Sequence, residues 1–186
     1  MSKHLSILAC LNTLYYVIHL VGGGSGHEPA HAGFVGKGML SGAILGNIFA
    51  SPTVHSILAA LRAAAGPPGV VVIVKNYTGD RINFGMAIEK ARCEGINASM
   101  VIIDDDVALP PGVGITGGRG IAGTVLVHKI LGRYPAAETE WLTHQTNIII
   151  DHIYYATMHL ETYTILATYT AHHTSLIMRH TTYAWI

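Results

Sequence analysis

Residues 70–104 read VVVIVKNYTGDRINFGMAIEKARCEGINASMVIID. This stretch begins and ends with a continuous apolar run, at 70–75 and 99–104, which is typical of a β-strand buried on both faces. The apolar residues between the runs recur at i, i+3, i+4 and i+7, namely Phe84, Ala87, Ile88 and Ala91. That spacing predicts an amphipathic helix. A strand, a helix and a second strand in this order predict two parallel strands joined by a crossover helix.

Further helices are predicted on both sides of this unit. Ser51-Pro52 predicts a helix that begins with a capping serine and a proline in its first turn. Its apolar stripe consists of Val54, Ile57, Leu58 and Leu61. In the helix after the first run, Asn83 is predicted to cap the start and Gly95 to end it. A last helix is predicted over 121–131 and is closed by Gly132. This alternation predicts an α/β fold, a mostly parallel sheet with helices on both faces.

Glycine and proline divide the chain into three segments. All 21 glycines and all seven prolines lie between Gly22 and Pro135. We therefore predict an atypical leading segment at 1–21, an α/β segment at 22–135, and a tail of unassigned role at 136–186. The leading segment is predicted to be a buried strand or helix that enters the core. A targeting segment is the less favoured alternative, because polar residues interrupt its apolar run.

Charge and cysteine content exclude several classes of protein. The 186 residues carry 11 basic and 11 acidic side chains, so binding of nucleic acid through a broad basic surface is not expected. The apolar run at 1–21 is too short and too polar for a transmembrane helix, so no membrane partner is expected. Two cysteines are too few for a disulfide scaffold or a thiolate zinc site. This count fits a reducing compartment, and we expect a cytoplasmic location.

Polar clusters follow three of the predicted strands, at 22–29, 75–80 and 104–106. Ligands of parallel sheets bind beyond the carboxyl ends of the strands, so these clusters are the candidate sites. The glycine run of the first cluster offers backbone N–H groups without side-chain obstruction. It is predicted to be a loop that closes around a small polyhydroxylated or phosphorylated ligand. The alternative is a tight turn between a strand and a helix.

Lys75 and Asp80 are the charged pair of the second cluster. If Lys75 ends its strand, both side chains can face one crevice. A carboxylate there can accept a proton from an attacking hydroxyl, and an ammonium can bind a substrate oxygen. On spacing alone, a surface ion pair is the competing interpretation.

Metal-binding motifs are present in the sequence, but their context argues against them. Residues 27–31 match H-E-x-x-H, which needs both histidines on one face of a helix. Pro29 means that a helix could only be starting there. The acidic residues at 104–106 could bind a hard cation, but acidic residues that end a strand are more often caps and turn formers. No metal site is predicted, and His55 and His128 are predicted to be structural.

Four long motifs carry a resemblance to a known family. They are GGGSGHEPAHAGFVGKGML at 22–40, FASPTV at 49–54, IVKNYTGDRINFGMA at 73–87 and GRGIAGTVLVHKILG at 118–132. In this order and spacing they closely resemble the dihydroxyacetone (glycerone) kinase family. The resemblance covers about 20–134 and is to the amino-terminal half of the substrate-binding K domain.

The resemblance implies an α/β fold and a kinase that phosphorylates a hydroxyl of dihydroxyacetone or a related short ketose or aldose. The substrate-binding residues that it implies are Gly23, Gly24, Ser25, His27, Lys75 and Asp80. Lys75 would bind a substrate oxygen, His27 would hold the substrate in the catalytic site, and Asp80 would be the general base. These roles agree with the chemistry of phosphoryl transfer, which needs positioning, electrostatics and one group to take the hydroxyl proton.

The resemblance also implies what this chain does not supply. It implies no cofactor on this chain, and ATP with Mg, or a phosphoprotein-charged nucleotide, on a partner domain or subunit. Family members hold the substrate carbonyl covalently through a histidine in a G-x-H-G-E motif, and no His-Gly-Glu occurs in this sequence. We therefore expect the chain to be inactive alone. The alternatives are a non-catalytic ketose-binding module and a truncated fragment of such a kinase, and a homodimer is left open.

Overall fold

A computed structural model of the protein describes residues 6–8, 17–108 and 117–133. The predicted tail at 136–186 and most of the predicted leading segment lie outside these residues. The strands are β1 (Ser6–Leu8), β2 (Ile18–Ser25), β3 (Gly42–Ile48), β4 (Val70–Lys75) and β5 (Ala98–Ile103). The helices are α1 (Val54–Ala64), α2 (Thr78–Cys93) and α3 (Gly123–Arg133), with a 3-10 turn at Ala32–Phe34.

The five strands form one sheet in the order β1-β3-β2-β4-β5. β1 pairs with β3 in the antiparallel direction, and the other three pairings are parallel. The predicted α/β fold is therefore confirmed. The apolar run of β4 fits this mostly parallel sheet, because a strand buried on both faces needs a layer on each side. None of the described helices has the length and apolar character needed to cross a membrane.

Helices cover both faces of this sheet, because successive side chains of each strand point to opposite sides. On one face, Val70, Val72 and Val74 of β4 pack in the core that includes α1 and α2. On the other face, Val71 and Ile73 pack in the core that includes α3. The residues at 70–74 are all fully buried, as the apolar run predicts.

The predicted starts of α1 and α2 were wrong. The cap of α1 is Thr53, whose Oγ1 accepts a hydrogen bond from the backbone N–H of Ser56. α2 begins five residues before Asn83, because the backbone N–H of Arg81 already donates to the carbonyl of Tyr77. The side chain of Asn83 donates instead to the carbonyl of Pro52, 2.9 Å away. It thereby ties α2 to the segment that leads into α1.

The ends of α2 and α3 differ from one another. Gly95 follows the last turn of α2 with a φ of +82°, which confirms that it ends this helix. Gly132 lies inside α3 and does not close it. A Cβ at Gly132 would collide with the backbone of Met39. This glycine therefore lets α3 pack closely against the turn before β3.

Candidate functional site

The glycine run at 22–25 belongs to strand β2, so the predicted loop was wrong for these four residues, whereas 26–29 do leave the strand and form a turn. Gly22 and Gly23 pair with Ile44 and Leu45 of β3. A Cβ at Gly22 would overlap the ring of Phe84 and would lie 2.7 Å from the carbonyl oxygen of Ile44. Tertiary packing therefore leaves no room for a side chain at Gly22, and this explains why a glycine occupies this position of the strand.

Open parallel sheets have a crevice beyond the carboxyl ends of the two strands at which the connections diverge, and here these strands are β2 and β4. β2 leads to β3 on one side of the sheet, and β4 leads through α2 to β5 on the other side. The pairing of β2 with β4 ends at Val21 and Ile73, whereas both strands continue beyond these residues. This arrangement is a topological switch point, the usual place of a ligand in an open parallel sheet.

Asp80, in the first turn of α2, is the buried carboxylate of this crevice. Asp80 is only 5% exposed, and its Oδ1 atom has no hydrogen-bond partner among the described residues. Burial raises the pKa of Asp80, while a hydrogen bond with Ser51 and the charges of Lys75 and His27 oppose this rise. An unpaired buried carboxylate oxygen is costly in a fold and is therefore a candidate for contact with a ligand. The alternative of a surface ion pair does not fit this burial.

Lys75 ends β4 and lies within electrostatic reach of Asp80. Burial lowers the pKa of Lys75, and the charge of Asp80 raises it. The Nζ atom lies 5.6 Å from the centre of the Tyr77 ring. A Cβ at Gly120 would lie 2.7 Å from the Cβ of Lys75. The segment that precedes α3 therefore packs directly against the aliphatic part of the Lys75 side chain. The side chain of Asn76 fixes the same segment by donating to the carbonyl of Gly118, 2.6 Å away.

Three histidine rings continue the site on the α3 side of the sheet. His27 and His31 meet edge to face with ring centres 5.8 Å apart, and His31 and His128 do so at 5.4 Å. The Nε2 atoms of His31 and His27 lie 3.7 and 3.9 Å from the point where Gly23 would carry a Cβ. Because Gly23 has no side chain, no side-chain atom of this residue fills the space next to the two imidazole rings.

The structure separates the predicted site residues into two groups. It brings together Gly23, His27, Lys75 and Asp80 around the crevice, whereas Gly24 contacts the turn after β3 and Ser25 contacts β3 itself. A Cβ at Gly24 would lie 2.7 Å from the backbone nitrogen of Ala50. The hydroxyl of Ser25 donates to the carbonyl of Gly46 at 2.7 Å.

Sequence reasoning missed Ser51, His31 and His128 as members of this site. Ser51 was predicted to cap a helix, but its side chain hydrogen-bonds to Asp80. His31 was considered only within H-E-x-x-H, yet it precedes the 3-10 turn, and the described residues contain no cluster of three metal-ligating side chains. His128 was predicted to be structural from its place in an apolar helix. A pairing between residues 97 positions apart has no local signal.

Two residues of the acidic cluster at 104–106, Asp105 and Asp106, make contacts that stabilise the fold. Asp105 accepts hydrogen bonds at 2.7 Å from the backbone N–H groups of Ile121 and Gly123, at the start of α3. Asp106 forms an ion pair with Arg119 at 2.6 Å. These contacts match the interpretation of caps and turn formers.

The fold and the crevice define an α/β protein with a ligand site at a switch point, where a buried carboxylate lies near a lysine and a histidine. The family model of the Dak1 domain matches residues 12–167, a wider span than the motifs at 20–134 indicated. The chain belongs to this family, and the predicted resemblance is confirmed.

Several curated relatives share the motifs. A triokinase/FMN cyclase of Mus musculus is 62% identical over 115 residues, which is 61% of this chain and 20% of the relative. A dihydroxyacetone kinase of Citrobacter freundii is 58% identical over 113 residues, which is 61% of this chain and 20% of the relative. The dihydroxyacetone-binding subunit DhaK of a Listeria innocua kinase is 55% identical over 111 residues, 34% of its length. The matched part is thus a fifth to a third of each relative.

Solved structures show the same fold. The dihydroxyacetone kinase of C. freundii in complex with AMP-PNP and Mg²⁺ superimposes with a TM-score of 0.73 and 46% identity, over 79% of this chain and 27% of that chain. A structure titled for regulation of the dha operon of Lactococcus lactis superimposes with a TM-score of 0.71 and 36% identity, over 78% of this chain and 46% of that chain. A dihydroxyacetone kinase operon co-activator superimposes with a TM-score of 0.66 and 40% identity, over 70% of this chain and 41% of that chain.

Proposed function

We propose that this chain binds dihydroxyacetone or a similar short sugar in the crevice between β2 and β4, and presents one hydroxyl of the sugar for phosphorylation. The observation that carries this proposal is Asp80, a buried carboxylate with an unpaired oxygen at the switch point of the sheet. The names of relatives that share the surrounding motifs support the substrate class.

Asp80 is the general base of the proposed reaction. Its Oδ1 accepts the proton of the sugar hydroxyl while the hydroxyl oxygen forms a bond to the transferred phosphorus and the donor leaves as the dephosphorylated species. Burial raises the pKa of Asp80, which makes the carboxylate a stronger proton acceptor than an exposed aspartate. Ser51 holds the carboxylate through its hydrogen bond and so limits the orientations that Asp80 can adopt.

Lys75 and His27 position the sugar in this scheme. Lys75 binds a sugar oxygen with its ammonium, and its charge favours the negative charge that develops during transfer. His27 is half-buried at the end of the glycine run and donates or accepts a hydrogen bond at a second oxygen. Gly23 leaves room for the sugar between these groups, because a side chain there would contact both His27 and His31.

The phosphoryl donor comes from a partner in this proposal. The C. freundii relative was crystallised with AMP-PNP and Mg²⁺, and another relative is named as the sugar-binding subunit of a phosphotransferase-dependent kinase. The described residues of this chain offer no cluster of metal ligands for a Mg²⁺–nucleotide. We therefore propose that a separate domain or subunit carries ATP with Mg²⁺ or another charged nucleotide, and that this chain does not turn over alone.

A transfer assay tests this proposal. The full chain is mixed with dihydroxyacetone, ATP, Mg²⁺ and the nucleotide-binding domain of a family kinase, and formation of the sugar phosphate is measured. We expect product with the wild type, and a loss of at least about 100-fold for Asp80→Ala, as for removal of a general base. Glu89→Gln is the matched control, since Glu89 is an exposed carboxylate on the same helix. Equal rates for all three proteins would refute the catalytic role of Asp80.

A non-catalytic ketose-binding module is the second candidate function. The two structures named for operon regulation and co-activation favour it, because both share the fold of this chain at 36% and 40% identity. Calorimetric titration distinguishes the two functions. Binding of dihydroxyacetone that is lost in His27→Ala, together with no transfer above the Asp80→Ala background, would favour the binding module.

A further inference from the structure

A buried histidine pair lies beside the crevice, and the proposed reaction does not use it. His31, on the turn after β2, is 2% exposed, and His128, on helix α3, is fully buried. The Nε2 atom of His128 lies 3.3 Å from Nδ1 of His31, so one nitrogen donates to the other. His31 is therefore held in a fixed orientation by a residue of helix α3.

The other nitrogen of His31 is left without a partner. Its Nε2 is buried and has no hydrogen bond to any described residue. It lies 3.7 Å from the Cβ position of Gly23, and Nε2 of His27 lies 3.9 Å from the same point. The Nε2 atoms of His31 and His27 thus lie close to the same point, next to Gly23. A buried polar atom of this kind is destabilising unless a ligand or a water pairs with it.

The hydrogen bond between the histidines determines what His31 can offer. If His128 donates to Nδ1 of His31, the proton of His31 is on Nε2, the nitrogen next to Gly23. If His31 donates instead, an N–H group is left unpaired at Nδ1 of His128, which is fully buried in α3. The first arrangement is favoured, because a ligand above Gly23 can accept the N–H group at Nε2 of His31, whereas an N–H group at Nδ1 of His128 would remain unsatisfied inside the core.

The charge state of His31 agrees with this arrangement. Burial, together with the charges of Lys75, His128 and His27, lowers the pKa of His31 to about 3. The ring is therefore neutral at physiological pH and has one N–H group to donate.

We propose that His31, oriented by His128, is a second imidazole contact for the sugar and donates a hydrogen bond from Nε2 to a sugar oxygen above Gly23. This inference rests on the proposed function and extends it, since it adds a binding residue from the turn after β2. The sugar would then contact His27, His31, Lys75 and Asp80.

Two substitutions of His31 test the contact. In His31→Asn the amide can replace Nδ1 and keep the bond to His128, but nothing replaces Nε2. In His31→Gln the amide reaches the position of Nε2. Dihydroxyacetone is titrated into the full chain by calorimetry, and thermal unfolding verifies that each variant is folded. We expect binding about tenfold weaker for His31→Asn and within about threefold of the wild type for His31→Gln.

Histidine ¹⁵N NMR of the wild type tests the same contact without substitution. Dihydroxyacetone at saturation is expected to shift the Nε2 resonance of His31, while exposed His55 serves as the unshifted reference. If the wild type binds and His27→Ala weakens binding, but His31→Asn binds normally and the His31 resonance stays in place, this inference is wrong and the proposed function stands. If the wild type does not bind dihydroxyacetone, the proposed function is wrong and the inference falls with it.

Discussion

A Cβ on Gly120 would lie 2.7 Å from the Cβ of Lys75 and 2.6 Å from the carbonyl oxygen of Ile103. The glycine therefore lets the segment before α3 lie directly on the end of β4, where it packs against the lysine that faces Asp80. A small movement could not relieve either clash, because the first involves the Cβ of Lys75 and the second involves the backbone of Ile103.

Gly120→Ala is therefore predicted to impair sugar binding by displacing Lys75. We expect the affinity for dihydroxyacetone to fall by about tenfold or more, since a displacement of about 1 Å disrupts a positioned contact. Calorimetric titration measures the effect. Gly85→Ala is the control, because Gly85 lies in α2 with open space around its Cβ position, and its binding should match the wild type.

Gly22→Ala is predicted to destabilise the fold. The added methyl would overlap the ring of Phe84 and approach the carbonyl of Ile44, so we expect a loss of about 2–3 kcal/mol in the free energy of unfolding, as for overpacked cores. Urea denaturation measures this loss. A smaller loss in the Phe84→Leu background would support the overlap with the ring, whereas an unchanged stability of Gly22→Ala would show that the strand assigned to the glycine run is wrong.

Asp105→Ala is predicted to loosen the start of α3. The carboxylate accepts two backbone hydrogen bonds at 2.7 Å, and its removal leaves both N–H groups unpaired. We expect a loss of about 3 kcal/mol in the free energy of unfolding. Asp105→Asn retains one acceptor oxygen and should lose roughly half as much. Equal stability of Asp105→Ala and the wild type would exclude the capping role.

Acidification is predicted to unfold the protein through its buried histidines. Burial lowers the pKa of His31 to about 3 and that of His19 and His128 to about 4, below the value of about 6.5 in an unfolded chain. The unfolded state then binds more protons, so stability is complete above about pH 6.5 and falls as the pH drops towards 4 and below. The raised pKa of Asp80 acts in the opposite direction and offsets part of this loss.

Urea denaturation between pH 7.5 and 4.5 measures this slope. We expect a loss of about 2–3 kcal/mol for each buried histidine. His128→Gln should reduce the slope. A flat profile in the wild type would contradict the burial of neutral histidines.

The sequence predicts the centre of this fold better than its site. The apolar runs of β4 and β5 and the spacing of Phe84 to Ala91 are local signals, and each element was predicted. The glycine run was misassigned, because glycine disfavours strands and only distant contacts with Phe84 and Ile44 explain its place in β2. Lys75 and Asp80 were found because five residues and one turn connect them.

The remaining site residues depend on tertiary contacts. Ser51 reaches Asp80 from the segment before α1, and His31 meets His128 across the sheet face. No periodicity within either segment indicates these partners. These two contacts form only when α1 packs against α2 and α3 packs against the sheet.

The most direct test of the account compares the wild type with Asp80→Asn at saturating dihydroxyacetone. The amide keeps the size of the carboxylate but cannot serve as the base. With the donor domain present, we predict that the rate of sugar phosphate formation falls by about 100-fold or more, while calorimetry shows sugar affinity within about threefold of the wild type. Equal transfer rates in the two proteins would contradict the account, because Asp80 would then not accept the hydroxyl proton.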